Sequence, residues 1–183
     1  MAYTATNEPT AYGNMMASGN DGWVYGKVWS YLVSSAVTIA KGDFVKLASS
    51  TTNTITRCSS SGDYATFIGI AAGAIDNSAG TVASTNTVGV LREGIAIVDL
   101  LVSSSSGTQK AVINFDDLLY LADAETGVYN TCTNTVITGQ AMTGTANGAP
   151  VARSIDKADV PTASQLYKGR VYINTLLKAT MVE

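Results

Sequence analysis

Short apolar runs recur along this chain at intervals of about ten residues, and Ser, Thr, Asn and Gly separate them. The runs are GDFVKLAS, NTITRC, TFIGIAAGAI, TVGVLREG, IAIVDLLV, AVINF, DLLYLA, GVYNTC, APVARSI and GRVYINTLL. Runs of this length and spacing are typical of strands, and no ten-residue window has the 3.6-residue period of an amphipathic helix. The sequence therefore predicts an all-β fold, a small β-barrel or β-sandwich.

Residues 1–22 differ from the rest because they show no sustained period and are interrupted by Pro9 and three glycines. Such a segment is typical of an extended arm rather than a domain. A chain of 183 residues is long enough to bury one substantial core. We therefore predict an N-terminal arm at residues 1–22 and a single β domain at residues 23–183.

The segment WVYGKVWSYLV begins the predicted domain and places its four largest side chains at odd positions. These are Trp23, Tyr25, Trp29 and Tyr31. Because side chains alternate between the two faces of a strand, all four are expected on one face. We predict that this face packs into the core.

Aromatic residues are concentrated near the N-terminus, where six of the fourteen lie within the first 31 positions. Tyr and Trp are frequent anchors of protein interfaces. Tyr3 and Tyr12 lie in an arm that has little of its own to pack on. We predict that these two form a protein interface. Trp23 and Tyr25, at the start of the strand nearest the arm, are the further candidates for it, as the alternative to a place in the core.

The chain resembles itself when it is shifted by 74 residues. The matching positions are residues 43–48 with 117–122, Cys58 with Cys132 and, after one inserted residue, 69–74 with 144–149 and Gly94 with Gly169. This match predicts a pseudo-repeated core with halves at residues 34–102 and 108–177. Neither half has enough strands to close a core alone, so the two are expected to pack together.

Charge and hydropathy restrict the partners of the chain. The formal net charge is −3 and the eleven basic residues are scattered singly, so we expect neither nucleic acid nor an anionic membrane as a partner. No run approaches the roughly 18 apolar residues of a membrane span, and no basic residue precedes Lys27 as a signal peptide would require. We predict a soluble protein that is not secreted by that route.

The sequence offers little for catalysis. It contains no histidine, which removes the commonest general base and the commonest metal ligand. Ser154 and Lys157 match a Ser-x-x-Lys pattern, but the Ser-Asp-Asn and Lys-Thr-Gly motifs that accompany it in penicillin-binding enzymes are missing. We predict that the protein is not an enzyme and uses no cofactor.

Metal binding is also not indicated. The densest acidic group is Asp116, Asp117, Asp123 and Glu125, which lacks the spacing of an EF-hand and is more typical of a solvated turn. Cys58 and Cys132 have no Cys-x-x-Cys or His partner, so both are expected to be buried thiols.

Five segments in this order resemble the capsid cement, or decoration, proteins of tailed bacteriophages. They are KGDFVKLA (41–48), FIGIAAGAID (67–76), VGVLREGIAIVDL (88–100), DDLLYLADAETGVY (116–129) and GRVYINTLL (169–177). The resemblance covers roughly residues 34–177 and leaves the arm uncovered. The chain departs from the pattern at residues 78–87 and 153–168, where longer polar loops occur.

The resemblance implies a non-enzymatic virion structural protein with a small β-barrel or β-sandwich fold. Such a protein is made in the host cytoplasm and binds the major capsid protein on the outer surface of an assembled capsid. It is often a homotrimer, and it stabilises contacts between capsomers against the pressure of the packaged DNA. The family has no catalytic residues to transfer to this chain.

A carbohydrate- or receptor-binding β module, such as a head-fibre or adhesin domain, is the alternative function. In that case Trp23, Tyr25 or Trp29 would present a flat aromatic face to a sugar ring.

Overall fold

The computed structural model describes residues 15–16, 23–49, 54–82, 85–102, 112–122, 140–146, 148–158 and 165–175. These residues form twelve β-strands and one short 3-10 helix, which confirms the all-β prediction.

The strands are β1 (Met15–Met16), β2 (Trp23–Val33), β3 (Val37–Ile39), β4 (Phe44–Ser49), β5 (Thr54–Arg57), β6 (Phe67–Ala71), β7 (Ile75–Asn77), β8 (Thr87–Val102), β9 (Leu118–Leu121), β10 (Met142–Thr143), β11 (Ala152–Ser154) and β12 (Gln165–Asn174). The 3-10 helix spans Ser61–Ala65.

Ten of the strands belong to one sheet, in the order β1-β2-β5-β4-β6-β8-β10-β9-β11-β12, and β3 pairs separately with β7. Two additional pairings, β2 with β8 and β8 with β12, join strands that are distant in this order. The hydrogen-bonded neighbours therefore form two closed rings, β2-β5-β4-β6-β8 and β8-β10-β9-β11-β12. Strand β8 is common to both rings.

Strand β8 is 16 residues long and merges two runs that the sequence presents as separate, TVGVLREG and IAIVDLLV. Its first part pairs with β2 from Thr87 to Ala96, and its second part pairs with β12 from Glu93 to Val102. The polar Arg92-Glu93-Gly94 interrupts the apolar pattern but not the strand, because partners on both sides continue the hydrogen-bonded ladder.

Two large clusters of buried side chains fill the fold. The larger draws on both rings and includes Phe44, Phe67, Leu100, Leu121 and Met142, while the smaller comes from β2 to β8. Burying each Leu, Ile or Phe side chain contributes about 1.5–3 kcal/mol, so these clusters are the main apolar contribution to folding in the described residues. Cys58 lies in the larger cluster and is 3% exposed.

The prediction that the aromatic face of β2 packs into the core is wrong at Trp29. Burial on this face increases along the strand: Trp29 is 36% exposed, Tyr31 is partly buried and Val33 is fully buried. Strand β5 joins β2 only at Leu32 and Val33, so the ring closes over the end of the strand and leaves Trp29 at the surface.

The 3-10 helix is an element that the sequence analysis missed. Ser60 begins it with a capping box, in which the Asp63 carboxylate accepts the backbone N–H of Ser60 at 3.0 Å. Asp63 also accepts the Nζ of Lys46 at 2.6 Å. Burial raises the pKa of Asp63, but the hydrogen bonds from Lys46, Ser59 and Ser60 outweigh it and hold the pKa below its ordinary value.

Candidate functional site

A β-bulge at Arg92 creates the most distinctive surface feature of the described residues. The β2–β8 register passes from Lys27 opposite Glu93 to Val28 opposite Leu91, so Arg92 has no partner residue on β2. A bulge of this kind turns the extra side chain out of the regular alternation of the strand. The Arg92 side chain contacts Trp29 and Tyr31 as a result.

The guanidinium group of Arg92 is held in place by three hydrogen bonds. Nε donates to the Thr175 hydroxyl at 3.2 Å, Nη2 donates to the Thr175 carbonyl at 3.2 Å, and Nη1 donates to the Tyr31 hydroxyl at 2.7 Å. Thr175 is itself 5% exposed, and its hydroxyl donates to the Ile68 carbonyl at 2.7 Å. The group is therefore positioned by β2, β6 and the residue that follows β12.

Two aromatic rings complete the site. The Arg92 guanidinium carbon lies 5.9 Å from the ring centroid of Trp29 and 5.9 Å from that of Tyr31. At this distance a cation is attracted to the ring faces, by about 0.5–1 kcal/mol at an exposed site. We call Trp29, Tyr31 and Arg92 together the arginine–aromatic patch.

Arg92 differs from the other three arginines in having no carboxylate partner among the described residues. Those three each pair with an aspartate: Arg57 with Asp43, Arg153 with Asp116 and Arg170 with Asp156. Within the described part of the chain, the polar partners of Arg92 are two hydroxyls and one carbonyl, so no carboxylate balances its charge there.

The pKa values of two aspartates in these ion pairs depart from the ordinary value. The Arg170 guanidinium donates to Asp156 from both Nε and Nη2, and it lowers the pKa of that carboxyl below its ordinary value. Burial raises the pKa of Asp43 above its ordinary value, although the Ala40 N–H and Arg57 act in the opposite direction. The arginines and aspartates of these ion pairs are therefore hydrogen-bonded to each other within the fold.

A second exposed feature is the turn before β9, where Phe115 is 74% exposed. The Asp117 carboxylate accepts the N–H of Asn114 at 2.7 Å, and Asp116 between them has φ +65°. Arg153 lies against Asp116, with Nη1 3.2 Å from the carboxylate Oδ2. This turn presents the Phe115 ring to solvent on a well-braced backbone.

The turn before β4 is built in the same way. The Asp43 carboxylate accepts the N–H of Ala40 at 2.7 Å, and Gly42 has φ +93°. The exposed Phe115 is replaced here by Lys41.

The acidic group considered for metal binding is thus explained in part by the turn, where Asp117 caps and Asp116 pairs with Arg153. Asp123 and Glu125 lie outside the described residues. Among the residues that are described, no group of three or more His, Cys, Asp or Glu side chains is placed to hold a metal ion.

Ser154 belongs to β11, and its hydroxyl donates to the Asp156 carbonyl at 2.5 Å. At 2% exposure it is not accessible as a nucleophile. In a separate respect, the described segments contain no helix that is long and apolar enough to cross a membrane.

The residues predicted as an interface are only partly described. Tyr3 and Tyr12 lie outside the described residues, as does Cys132. The structure describes the backbone of Trp23 and Tyr25, which pair with Met16 of β1 and Ile95 of β8. Met15–Met16, within the predicted arm, is thus paired with the domain as β1.

Arg92 was missed by the sequence analysis. Its neighbours Glu93 and Gly94 suggested only a polar interruption between two strands. A local signal for a bulge is weak, and the contact with Trp29 joins positions 63 residues apart. The sequence predicts a core position for Trp29, with a sugar platform as the alternative, and gives no sign of its contact with Arg92.

No known protein family, curated protein or solved structure matches the chain.

Proposed function

We propose that this protein is a non-enzymatic virion structural protein that binds the outer surface of an assembled phage capsid and stabilises contacts between capsomers. The arginine–aromatic patch is the observation that carries the proposal. Trp, Tyr and Arg are the residue types that dominate the binding energy of protein interfaces, and here they are preassembled and partly exposed.

The positions of the strands support the resemblance to cement proteins. Each of the five segments that carry it overlaps a strand, namely β4, β6, β8, β9 and β12. Of these strands, β4 and β6 belong to the first ring, β9 and β12 belong to the second ring, and β8 belongs to both. Among the described strands, the closure of both rings leaves few unpaired sheet edges, which suits a rigid platform.

We further propose that the two rings are small β-barrels related by internal duplication, with β8 serving as the last strand of one and the first strand of the other. The turns before β4 and β9 support this, because each has an aspartate that accepts the N–H three residues earlier. The backbone pairs agree: Gly42 donates to Ala71 at 2.7 Å and Asp116 donates to Ser154 at 2.8 Å.

The strand pairings extend the correspondence beyond the turns. Phe44 lies opposite Ile70, and Leu118 lies opposite Arg153. Phe44 and Leu118 are 74 residues apart, which is the offset found in the sequence, whereas Ile70 and Arg153 are 83 apart. Loops of different length between the strands account for the change of offset.

The changed offset affects the other landmarks of the sequence match. Gly69 lies in β6 opposite Val45, but Gly144 follows β10, a strand with a different place in its ring. Under the proposed duplication, β11 and not residues 144–149 is the counterpart of β6. Under the same proposal, the sequence match pairs the Asp-led strands correctly and misaligns these glycines.

Multivalency explains how modest contacts would suffice for capsid binding. If three copies assemble as the proposed homotrimer, each carries one patch, and binding of the first raises the effective concentration of the others to about the millimolar range. Native mass spectrometry tests the trimer directly, and a monomer at micromolar concentration would contradict it.

Reconstitution tests the function. Purified protein is added to capsids that were assembled without it, and binding is followed by sedimentation and by the temperature at which the capsids break open. We expect saturable, stoichiometric binding and a higher disruption temperature. Heat-unfolded protein is the control, and wild-type protein that leaves both measurements unchanged would refute the proposal.

The exposed ring of Trp29 keeps carbohydrate binding as a second candidate. A glycan array distinguishes the two, because a sugar-binding module gives specific hits that the Trp29→Ala variant loses. The capsid proposal predicts no such hits.

A further inference from the structure

We propose that the arginine–aromatic patch is a preformed receptor for a carboxylate, an Asp or Glu side chain on the surface of a partner protein. The choice of a protein partner rests on the proposed function, whereas the choice of a carboxylate rests on the patch itself.

The hydrogen-bond inventory of Arg92 leaves room for such a ligand. A guanidinium group has five N–H donors, and the contacts with Thr175 and Tyr31 use three of them. One donor remains on each terminal nitrogen, Nη1 and Nη2. Two donors on neighbouring nitrogens are the arrangement that binds the two oxygens of a carboxylate.

The electrostatic environment favours an anionic ligand. Arg92 is only partly buried, and its polar partners within the described part of the chain are uncharged oxygens. Arg57, Arg153 and Arg170 by contrast each have an aspartate as a partner. A carboxylate on a partner would supply at Arg92 the charge that these three receive within the chain.

The geometry also lowers the cost of binding. Thr175 and Tyr31 hold the guanidinium in one orientation, and both rings lie 5.9 Å from its carbon. A side chain that is already ordered loses little conformational entropy when a ligand arrives. The 36% exposed Trp29 beside it offers apolar surface that would shield the ion pair from water.

The first experiment uses the full chain and a small probe. The Trp29 indole and Arg92 Nε–H signals are followed by NMR during titration with N-acetyl-glutamate amide, and with N-acetyl-glutamine amide as the uncharged counterpart. We expect saturable shifts with the glutamate derivative alone, and none in Arg92→Gln. Equal responses to both probes, or to neither, would overturn the carboxylate assignment.

The second experiment uses capsids assembled without the protein. We expect Arg92→Gln to bind at least about tenfold more weakly than wild type, and to lose most of the salt dependence of binding. Arg153→Gln is the matched control because it removes the same charge elsewhere, and we expect it to bind like wild type. Circular dichroism and the melting temperature show whether each variant is folded.

Trp29→Leu provides a test that does not disturb the hydrogen bonds of Arg92, and we expect it to weaken capsid binding about tenfold as well. Wild-type protein that binds the glutamate probe but no capsid would refute the proposed function and leave the carboxylate receptor standing. Capsid binding that is unchanged in Arg92→Gln and Trp29→Leu would refute the patch and leave the function standing. If the wild-type protein binds a uronic-acid oligosaccharide, while Arg92→Gln and Trp29→Leu still bind capsids like wild type, the patch would be assigned to a glycan and not to a partner protein.

Discussion

The side-chain amide of Gln140 hydrogen-bonds both backbone groups of Phe44, although the two residues are 96 positions apart. Oε1 accepts the Phe44 N–H at 2.7 Å, and Nε2 donates to the Phe44 carbonyl at 3.0 Å and to the Cys58 carbonyl at 2.8 Å. Gln140 precedes β10 and is 6% exposed. The Gln140 side chain therefore bonds the N–H and C=O of Phe44 as a neighbouring strand would, and it joins the segment before β10 to β4.

Replacing Gln140 tests this connection. Gln140→Met keeps the volume but removes all three hydrogen bonds, and a buried N–H without a partner costs about 1–3 kcal/mol. We expect the free energy of unfolding in urea to fall by about 2–3 kcal/mol. Gln140→Glu retains the acceptor and buries a charge, so it should be less destabilising at low pH than at neutral pH. Unchanged urea midpoints in both variants would show that the amide does not link the rings.

The close approach of β2 to β8 depends on Gly26. This residue has φ +151°, and a Cβ atom there would lie 2.0 Å from the Glu93 carbonyl oxygen. Gly26→Ala should cost at least about 2 kcal/mol in unfolding free energy, because the clash is with backbone and the conformation is strained. Gly73→Ala is the matched control, since its Cβ would lie 3.6 Å from the nearest Val88 methyl. Equal stability of the two variants would contradict the observed packing.

The two Asp turns should respond differently when glycine is removed from one and introduced into the other. Gly42 and Asp116 have φ +93° and +65°, a region that costs a residue with a side chain about 1–2 kcal/mol. Gly42→Ala should destabilise the protein by about that amount. Asp116→Gly removes the same strain at the expense of an exposed ion pair with Arg153, and we expect no loss of stability. Thermal unfolding of both variants measures the difference.

Acid stability should depend on Asp63 and Asp43 with opposite signs. The folded pKa of Asp63 is below the ordinary value of 3.8, so its stabilisation is present above pH 3.8 and is lost as the pH falls through the folded pKa. The folded pKa of Asp43 is above 3.8, so the folded state takes up its proton first and gains stability on acidification.

Two variants separate these contributions. Asp63→Asn should flatten the loss of unfolding free energy below pH 3.8. Asp43→Asn should remove the gain of unfolding free energy that the wild type makes above pH 3.8, as the pH falls from the raised folded pKa of Asp43 towards 3.8. Urea titrations at several pH values give the slopes. Identical slopes in wild type and both variants would contradict the assignment.

The predicted arm can be tested in two steps because Met15–Met16 pairs with β2. Deleting residues 1–14 keeps this pair, and we expect an unchanged melting temperature but weaker capsid or subunit binding. Deleting residues 1–22 also removes β1 and should lower the melting temperature slightly. Undiminished binding by both truncated chains would argue against an interface at Tyr3 and Tyr12.

Several parts of the fold were accessible from sequence because they depend on local pattern. The alternation of apolar runs and polar turns predicted strands, and β4, β9 and β12 lie where the runs are. The acidic residues Asp116 and Asp117 predicted a solvated turn, and a turn is found there. The similar turn at Asp43 was not predicted, although its aspartate also acts within three residues of itself. These features need no knowledge of what packs against them.

Other parts were misjudged because they depend on partners. The sequence predicts two strands where the structure has the single strand β8, because polar residues separate two apolar runs. A strand that is paired on both edges tolerates such an interruption. The odd position of Trp29 predicts a place in the core with its neighbours, but burial depends on where the ring of strands closes. The 3-10 helix was overlooked because its capping box lies in a short polar segment between strands.

The sequence by itself determined that this chain is all-β, because the two-residue period of its strands and the composition of its turns act over a few positions. Only the tertiary structure decided that Arg92 lies against Trp29 and Tyr31, and that Gln140 reaches Phe44. Those contacts join residues from 61 to 96 positions apart. Both contacts follow from strand register, and the contact of Arg92 also follows from the bulge in β8. Register and bulge are set by the packing of the whole sheet.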